Sequence, residues 1–483
     1  MNRIKQYSKG LLLAVAAIST MALTSCKDEP DKFEPTDGKP TVKYIRCMSS
    51  EIHNWDDEPD TQYTDGQLVT SASPGSTLAI IGDNLRSVYE IWFNDLRASL
   101  NQSTLTDNTL FVTIPGKVPG EVTDKIYFVT TSKDTVAYDF KVIISAPIVN
   151  SIANEYAAAG SRQTLKGNYF IDDPGTPLSI SFPAADGSLI PAKVIDIAKD
   201  FTSVDIIIPD GAVSGPIVAT SVYGTSKSSF WYKDNRGLLF DFDTPNGISD
   251  VVLDMHAWNG HTLTVDDGTG ISGNYWQFGS GTSNCPGTAD NGWPDESWHS
   301  FAYWPGNWED PETFKVYPRL YDLVDMSDWS NMTMKFEMFI PSTNPWTGGA
   351  MQIVFAGTDK TTFGAGGVDA YGNAIHVQDN AYLNDKSVPR ALYRPWTVTG
   401  SYDTGDEWIT VSLPLAASFV YSYDGTLCGS QMSKESFASL WIALYGGGVE
   451  GTDCTPIIKI DNIRIVPNKL RSEERRVGKE CRS

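Results

Sequence analysis

The chain has 483 residues and a formal net charge of −22, which is too long for one hydrophobic core and enough for about three domains. With three basic residues before Lys27 and six basic and three acidic residues after Asn468 set aside, the body carries 28 basic against 56 acidic side chains, a net charge of −28. A body this acidic repels nucleic acid and anionic lipid, which excludes a polyanionic partner and leaves neutral ligands.

Arg3, Lys5 and Lys9 form a positive n-region, and Leu11 to Leu23 an apolar stretch as long as the core of a cleaved secretory signal. It falls short of the roughly 20 residues that a membrane span needs. The stretch ends on Leu23-Thr24-Ser25-Cys26, which resembles the lipobox of bacterial lipoproteins. The resemblance implies that residues 1–26 are the signal, that Cys26 is acylated, and that it becomes the mature N-terminus. More than one acyl chain suffices for stable anchoring in outer-membrane lipid. Lys27-Asp28-Glu29 resembles the acidic export signal of Bacteroidota lipoproteins, which implies a lipid-anchored protein on the outer face of the outer membrane. An ordinary signal peptide with an incidental cysteine is the alternative. Residues 27–39, polar and carrying Pro30, Pro35 and Gly38, read as a flexible tether.

Beyond the tether, short bursts of period-two apolar alternation recur between Gly, Asp, Asn and Pro. Thr77 to Ile81, Lys125 to Val129 and Ser203 to Ile208 are examples, and the pattern is that of all-β domains. An internal repeat organises this half. Pro74-Gly75-Ser76 followed by Gly82-Asp83-Asn84-Leu85 matches Ala159-Gly160-Ser161 followed by Gly167-Asn168-Tyr169-Phe170, and Phe111 to Pro115 with Gly120 matches Asp205 to Pro209 with Gly215. The offset of about 85–95 residues is the size of an immunoglobulin-like sandwich. The Gly-x-Asn pieces are expected to turn a left-handed corner after a buried strand. The pieces together resemble IPT/TIG domains, which implies two immunoglobulin-like modules, at 40–145 and 146–233, acting as spacers.

Composition shifts at residue 234. Residues 234–468 hold eleven of the fourteen tryptophans. The segment opens on Leu238-Leu239-Phe240-Asp241-Phe242-Asp243 and closes on Ile457 to Val466. First and last strands of this kind resemble the jelly-roll sandwiches of carbohydrate-binding modules. The fold expected is therefore all-β: two immunoglobulin-like sandwiches in tandem, then a larger jelly-roll-type β-sandwich.

Aromatic side chains offer flat faces to the C–H faces of sugar rings, and tryptophan offers the largest. Alternation along Ser439 to Tyr445 sets Leu440, Ile442 and Leu444 on the core face, with Trp441 and Tyr445 opposite; along Ala350 to Ala356 it turns Gln352 outward, and along Met334 to Met338 it turns Lys335 and Glu337 outward. One outer sheet face is thus expected to collect aromatic, amide and charged groups. Trp293, Trp298, Trp304 and Trp308 fall within sixteen residues among Pro, Gly, Asp and Asn, and Trp346, Tyr393 and Trp396 lie in similar loops. Each either packs its loop onto the sandwich or contacts ligand, and the set as a whole is expected to supply a glycan platform. Trp276, Trp329 and Trp408 are expected to be structural. The jelly-roll resemblance further implies a structural calcium at Asp241, Asp243 and Asp461, oxygen donors of the type that calcium takes; aspartates merely hydrogen-bonded at strand ends are the alternative, and no cofactor is required. The five histidines show no zinc spacing.

Of six cysteines, Cys47, Cys285, Cys428 and Cys454 lie in the body without a C-x-x-C. An exported location permits a disulfide such as Cys428–Cys454, which sequence alone does not assign. Residues 469–483 change abruptly to a basic composition and are expected to be non-native. The whole plan resembles the surface glycan-binding lipoproteins of Bacteroidota polysaccharide-utilisation systems. That implies non-catalytic capture of a polysaccharide, a β-glucan or xyloglucan, for a neighbouring glycan transporter and surface glycosidases. A jelly-roll glycoside hydrolase needs two carboxylates about 5–9 Å apart, but the Glu-x-Asp-x-x-Glu strand of such endoglucanases is missing here, as is a Gly-x-Ser-x-Gly elbow. An adhesin for a host protein leaves the tryptophans unexplained.

Overall fold

The computed structural model describes residues 38–49, 66–101, 105–243, 267–290, 300–303, 318–357 and 386–468. The chain divides into two compact units between Ile144 and Ser145. Among the described residues, no helix is long and apolar enough to cross a membrane.

The first unit pairs two four-stranded antiparallel sheets. One runs Gln67–Leu68, Thr41–Ser49, Thr77–Asp83, Thr109–Thr113, and the other Leu96–Ala98, Val88–Phe93, Lys125–Thr130, Thr135–Asp139. Alternate residues of these strands, among them Leu78, Ile80, Ile91, Phe93, Leu110, Val112, Ile126 and Phe128, are buried. Burial of every second residue is what a sheet with one face in the core requires.

The second unit begins with a sandwich of the same kind. Its sheets run Ile148–Ile152, Arg162–Asn168, Ser203–Ile207, Lys193–Ile197 and Leu189–Pro191, Ser179–Pro183, Gly215–Ser221, Gly224–Tyr232. The repeat is visible atom by atom. Gly75 and Gly160 both have positive φ, 83° and 80°, and their N–H groups donate to the carbonyls of Ile114 and Ile208, each at 2.9 Å. A Cβ on Gly82 would lie 1.8 Å from the Thr41 carbonyl oxygen, and one on Gly167 1.8 Å from that of Ile148. These glycines therefore let the second strand press against a bulge in the first. The left-handed residue stands two positions later, at Asn84 (φ 56°) and Tyr169 (φ 61°). The corner is thus turned after the glycine, and close approach is what demands the glycine itself.

The remainder of the second unit is a larger sandwich. One sheet runs Leu238–Phe240, Ile458–Pro467, Met332–Phe339, Ile409–Pro414, with Trp276–Phe278 also pairing onto Ile458–Pro467; the other runs Ser300–Tyr303, Ser439–Tyr445, Ala350–Ala356, Ala391–Tyr393. These are the terminal and the central sheet, respectively. Between them lies a dense core in which Phe240, Phe242, Trp276, Phe301, Met334, Phe336, Ile353, Phe355, Leu440 and Ile442 meet. Phe301 packs edge-on against Trp276 with centroids 5.1 Å apart and against Phe240 at 5.3 Å, arrangements worth about 0.5–1.5 kcal/mol each beyond area burial.

Candidate functional site

The outer faces of the two sheets carry different chemistry. On the central sheet, Val354 pairs with Trp441 and Gln352 with Ala443. Val354, Trp441, Ala443 and Tyr445 form a cluster separate from the main core, because a period of two sends them to the face opposite Leu440, Ile442 and Leu444. Gln352 Nε2 donates to the Tyr445 carbonyl at 3.0 Å and to the Tyr423 carbonyl at 3.2 Å. Arg390 Nη1 donates to Gln352 Oε1 at 2.8 Å and to Tyr445 Oη at 3.0 Å. The Trp441 and Tyr445 rings lie 5.9 Å apart. Burial pushes the Tyr445 hydroxyl up to about 12, so it stays a neutral donor and acceptor. The facing inferred from alternation is thus present, but the exposure is not: Trp441 is 1% exposed, and Tyr445, Gln352 and Arg390 are 0%.

Lys335 and Glu337 also point away from the core, as alternation requires, yet they lie on the terminal sheet. That face packs against the preceding immunoglobulin-like sandwich. Arg464 grips Glu337 through Nη1 to Oε2 at 2.8 Å and Nη2 to Oε1 at 3.0 Å, and reaches Glu155 Oε2 of that sandwich at 2.8 Å. Lys335 Nζ donates to Glu155 Oε1. Thr410 Oγ1 accepts the Glu155 N–H at 2.7 Å and donates to Glu337 at 3.0 Å. Burial raises the Glu337 carboxyl, with Arg464 opposing the rise. Burial disfavours the charge on Arg464, but Glu337 and Glu155 outweigh it and hold the guanidinium above its ordinary value. The single outer face expected to gather aromatic, amide and charged groups is therefore two faces on opposite sides of the sandwich.

Two of the loop aromatics are core. Trp346 and Trp396 are 0% and 3% exposed, and their indole N–H groups donate to the carbonyls of Gly348 at 2.7 Å and Gly349 at 2.8 Å. Tyr393 is half-buried and packs beside Trp346, centroids 6.1 Å apart. Trp346 and Trp396 fasten their segments to the sandwich, whereas Tyr393 ends the strand Ala391–Tyr393, paired with Met351, and is not in a loop. Trp293, Trp298, Trp304 and Trp308, like all five histidines, lie outside the described residues, the first two before and the last two after the strand Ser300–Tyr303. Trp276 is wholly buried, Trp329 packs on Phe437, and Trp408 donates to the Thr269 carbonyl at 3.1 Å.

Asp241, Asp243 and Asp461 do not assemble a calcium cradle. Asp461 accepts from Ser272 Oγ at 2.8 Å and from the Asn462 N–H at 2.7 Å. Asp243 accepts from the Asn274 N–H at 2.6 Å, and Asp241 from the Asp243 N–H at 3.2 Å. Among the described residues no three His, Cys, Asp or Glu side chains converge on a point where a metal ion could be held. Burial lifts the Asp461 carboxyl to about 8, against the pull of Ser272 and Asn462.

Comparison with known proteins bears on the same sandwich. Residues 232–467 match the family described as surface glycan-binding protein B xyloglucan binding domain. Across both units, the chain is 41% identical to the surface glycan-binding protein PbSGBP-B from Prevotella bryantii, whose crystal structure it matches with a TM-score of 0.72 over 89% of this chain and 99% of that one. The chain belongs to the SGBP-B family of surface glycan-binding proteins. A curated relative from Bacteroides ovatus, an IPT/TIG domain-containing protein, is 24% identical over 183 residues, 37% of this chain. That match spans 34% of the curated relative's own length. Within this SGBP-B chain, sequence reading missed Arg390 and Tyr423. Arg390 sits ahead of a three-residue strand and Tyr423 in a turn, where no alternation marks a side chain, and only the sheet brings them to Gln352.

Proposed function

We propose that this protein is a non-catalytic binder of an extended β-linked glucan, xyloglucan being the first candidate, and that it needs no cofactor to bind. The observation that carries the reading is the match of the whole terminal sandwich, residues 232–467, to a xyloglucan-binding family. The stacking role is assigned to Trp293 and Trp298, which precede the strand Ser300–Tyr303 in sequence, and to Trp304 and Trp308, which follow it. Ring stacking on sugar C–H faces favours an exposed, rigid aromatic. Trp441 and Tyr445, buried on the strand that pairs with Ser300–Tyr303, offer no free ring face for stacking. The absence of catalysis is supported by Glu337, the lone glutamate of Met334 to Met338. It is fully buried and gripped by Arg464, so it cannot reach a glycosidic oxygen.

Acylation of Cys26 anchors the protein in the outer membrane, and the two immunoglobulin-like sandwiches hold the terminal domain away from the lipid. There it concentrates polysaccharide for a neighbouring transporter and surface glycosidases. Native affinity electrophoresis of the mature protein against xyloglucan, mixed-linkage glucan, β-1,3-glucan, mannan, xylan, pectin and starch tests the reading, with reducing-sugar release assayed in the same samples. Retardation by xyloglucan or another β-glucan without release of sugar is expected. Release of reducing ends overturns the non-catalytic reading, and indifference to every β-glucan overturns the ligand class.

A further inference from the structure

Three segments meet at one end of the terminal sandwich: residues 279–290 after the strand Trp276–Phe278, the turn Thr347–Gly349, and residues 446–455 ahead of the last strand. Backbone hydrogen bonds zip them together. The Gly451 N–H donates to the Gly287 carbonyl at 2.7 Å, the Thr452 N–H to that of Thr347 at 2.8 Å, and the Gly448 N–H to that of Ala289 at 2.8 Å. A Cβ on Gly287, Gly348 or Gly451 would come within 2.4–2.6 Å of a neighbouring backbone atom, so these chains run closer than side chains allow.

Cys285 and Cys454 face one another inside this junction as an antiparallel bridge pair. Each donates its N–H to the other's carbonyl, Cys285 to Cys454 at 2.7 Å and Cys454 to Cys285 at 3.0 Å. Residues paired in this way have Cα atoms about 5.5 Å apart, inside the roughly 4.4–6.8 Å that disulfides span. The Cys285 thiol donates to the Gly348 carbonyl at 3.7 Å and the Cys454 thiol to the Cys285 carbonyl at 3.9 Å. Cys285 is buried, whereas Cys454 keeps part of its surface in solvent. The pairing raised from sequence, Cys428 with Cys454, is not the one the fold brings together: Cys428 Sγ donates to the Lys386 carbonyl at 3.2 Å instead.

We propose that Cys285 and Cys454 are oxidised to a disulfide when the chain is exported, locking the three-segment junction. The oxidant is a protein disulfide of the thiol-oxidising cell envelope, the kind of compartment where such bonds form and persist. The Cys454 thiolate attacks one sulfur of that disulfide and expels the other as a thiolate, leaving a mixed disulfide. Cys285 then gives up its proton and attacks the Cys454 sulfur, closing the bridge and expelling the second thiolate. The pair loses two protons and two electrons, and the oxidant takes up both and leaves as a dithiol. The order of attack follows from the site. The neighbouring Cys285 thiol pulls the Cys454 thiol down to about 6, while Cys454 and burial push Cys285 up. The accessible sulfur is thus the reactive one. The inference concerns the envelope location and this junction, and does not depend on which glycan is bound.

The test is thiol trapping on the full chain harvested from cells that export it. Free thiols are alkylated with N-ethylmaleimide in denaturant, and unreduced peptides are then mapped by mass spectrometry. Expected are one cross-linked peptide pair carrying Cys285 and Cys454, lighter by two hydrogens than the separate thiols, and alkylated Cys47 and Cys428. Alkylated Cys285 in exported protein overturns the proposal. In parallel, reductant is expected to lower the Tm of the parent by about 5–10 °C and to leave that of Cys454→Ala unchanged. A parent Tm indifferent to reductant also overturns it.

Discussion

Trp441 illustrates how a residue can be read correctly in direction and wrongly in role. Its partner across the ladder is Val354 and its neighbour on the same face is Tyr445, and it is 1% exposed. Cutting such a side chain back to alanine removes a large buried volume, so Trp441→Ala is expected to destabilise the protein by about 3–5 kcal/mol. Urea denaturation measures that loss. Trp304→Ala, at a position assigned to the glycan, is expected to abolish retardation by xyloglucan with the urea midpoint unchanged. Equal midpoints for the two variants would refute the division between a structural Trp441 and a ligand-stacking Trp304. Asp461 gives a second test. Its folded carboxyl titrates near 8, raised above the roughly 4 of an unfolded aspartate. Folding therefore favours the protonated form, and the contribution is complete below pH of about 4 and lost as pH rises through 8. Asp461→Asn removes that dependence. The stability of the parent relative to Asp461→Asn is expected to fall steadily from pH 4 to pH 8, and a flat difference would show that the carboxyl is not held neutral.

At the scale of elements, the outer face of the terminal sheet joins two sandwiches through charge. Glu155 enters from the immunoglobulin-like side and meets both Lys335 and Arg464, while Glu337 satisfies the other half of Arg464. The four formal charges cancel, and all four side chains are buried. Removing one partner from such a network strands the others without water. Glu155→Ala is accordingly expected to cost about 3–5 kcal/mol, read as a lower urea midpoint, whereas Lys166→Ala on an exposed strand position serves as a control close to zero. Equal effects of the two would remove the argument that the network couples the sandwiches. The same elements show what was legible in the sequence. Period two is a local property, so the facing of Leu440 against Trp441 and of Phe336 against Glu337 could be read directly, as could the all-β class. What covers a face is set by residues far away in sequence. Glu155 and Arg464 are 309 positions apart, and no spacing rule relates them. Trp346 and Trp396 were ambiguous for a related reason, since their N–H partners, Gly348 and Gly349, are backbone carbonyls that composition cannot reveal. The internal repeat was legible because Gly75 and Gly82 answer to backbone geometry, and that geometry returns at Gly160 and Gly167.

For the whole molecule, the separation of acidic body from neutral ligand makes a prediction of its own. The chain carries a net charge of −22, and charges on its surface act over about 10 Å at 0.1 M salt. A polysaccharide without ionised groups neither gains nor loses by that field. Its affinity is therefore expected to stay within about twofold between 50 mM and 500 mM salt, where a ligand that exchanged counterions on binding would shift by orders of magnitude. Titration calorimetry with a xyloglucan oligosaccharide at the two salt concentrations makes the comparison. A steep salt dependence would point to a charged ligand, contrary to the aromatic surface proposed above. It would also leave the strong negative charge of the body without a simple purpose. With a neutral ligand, that charge keeps proteins crowded on a cell surface from associating with each other, and it does so without repelling the polysaccharide they gather.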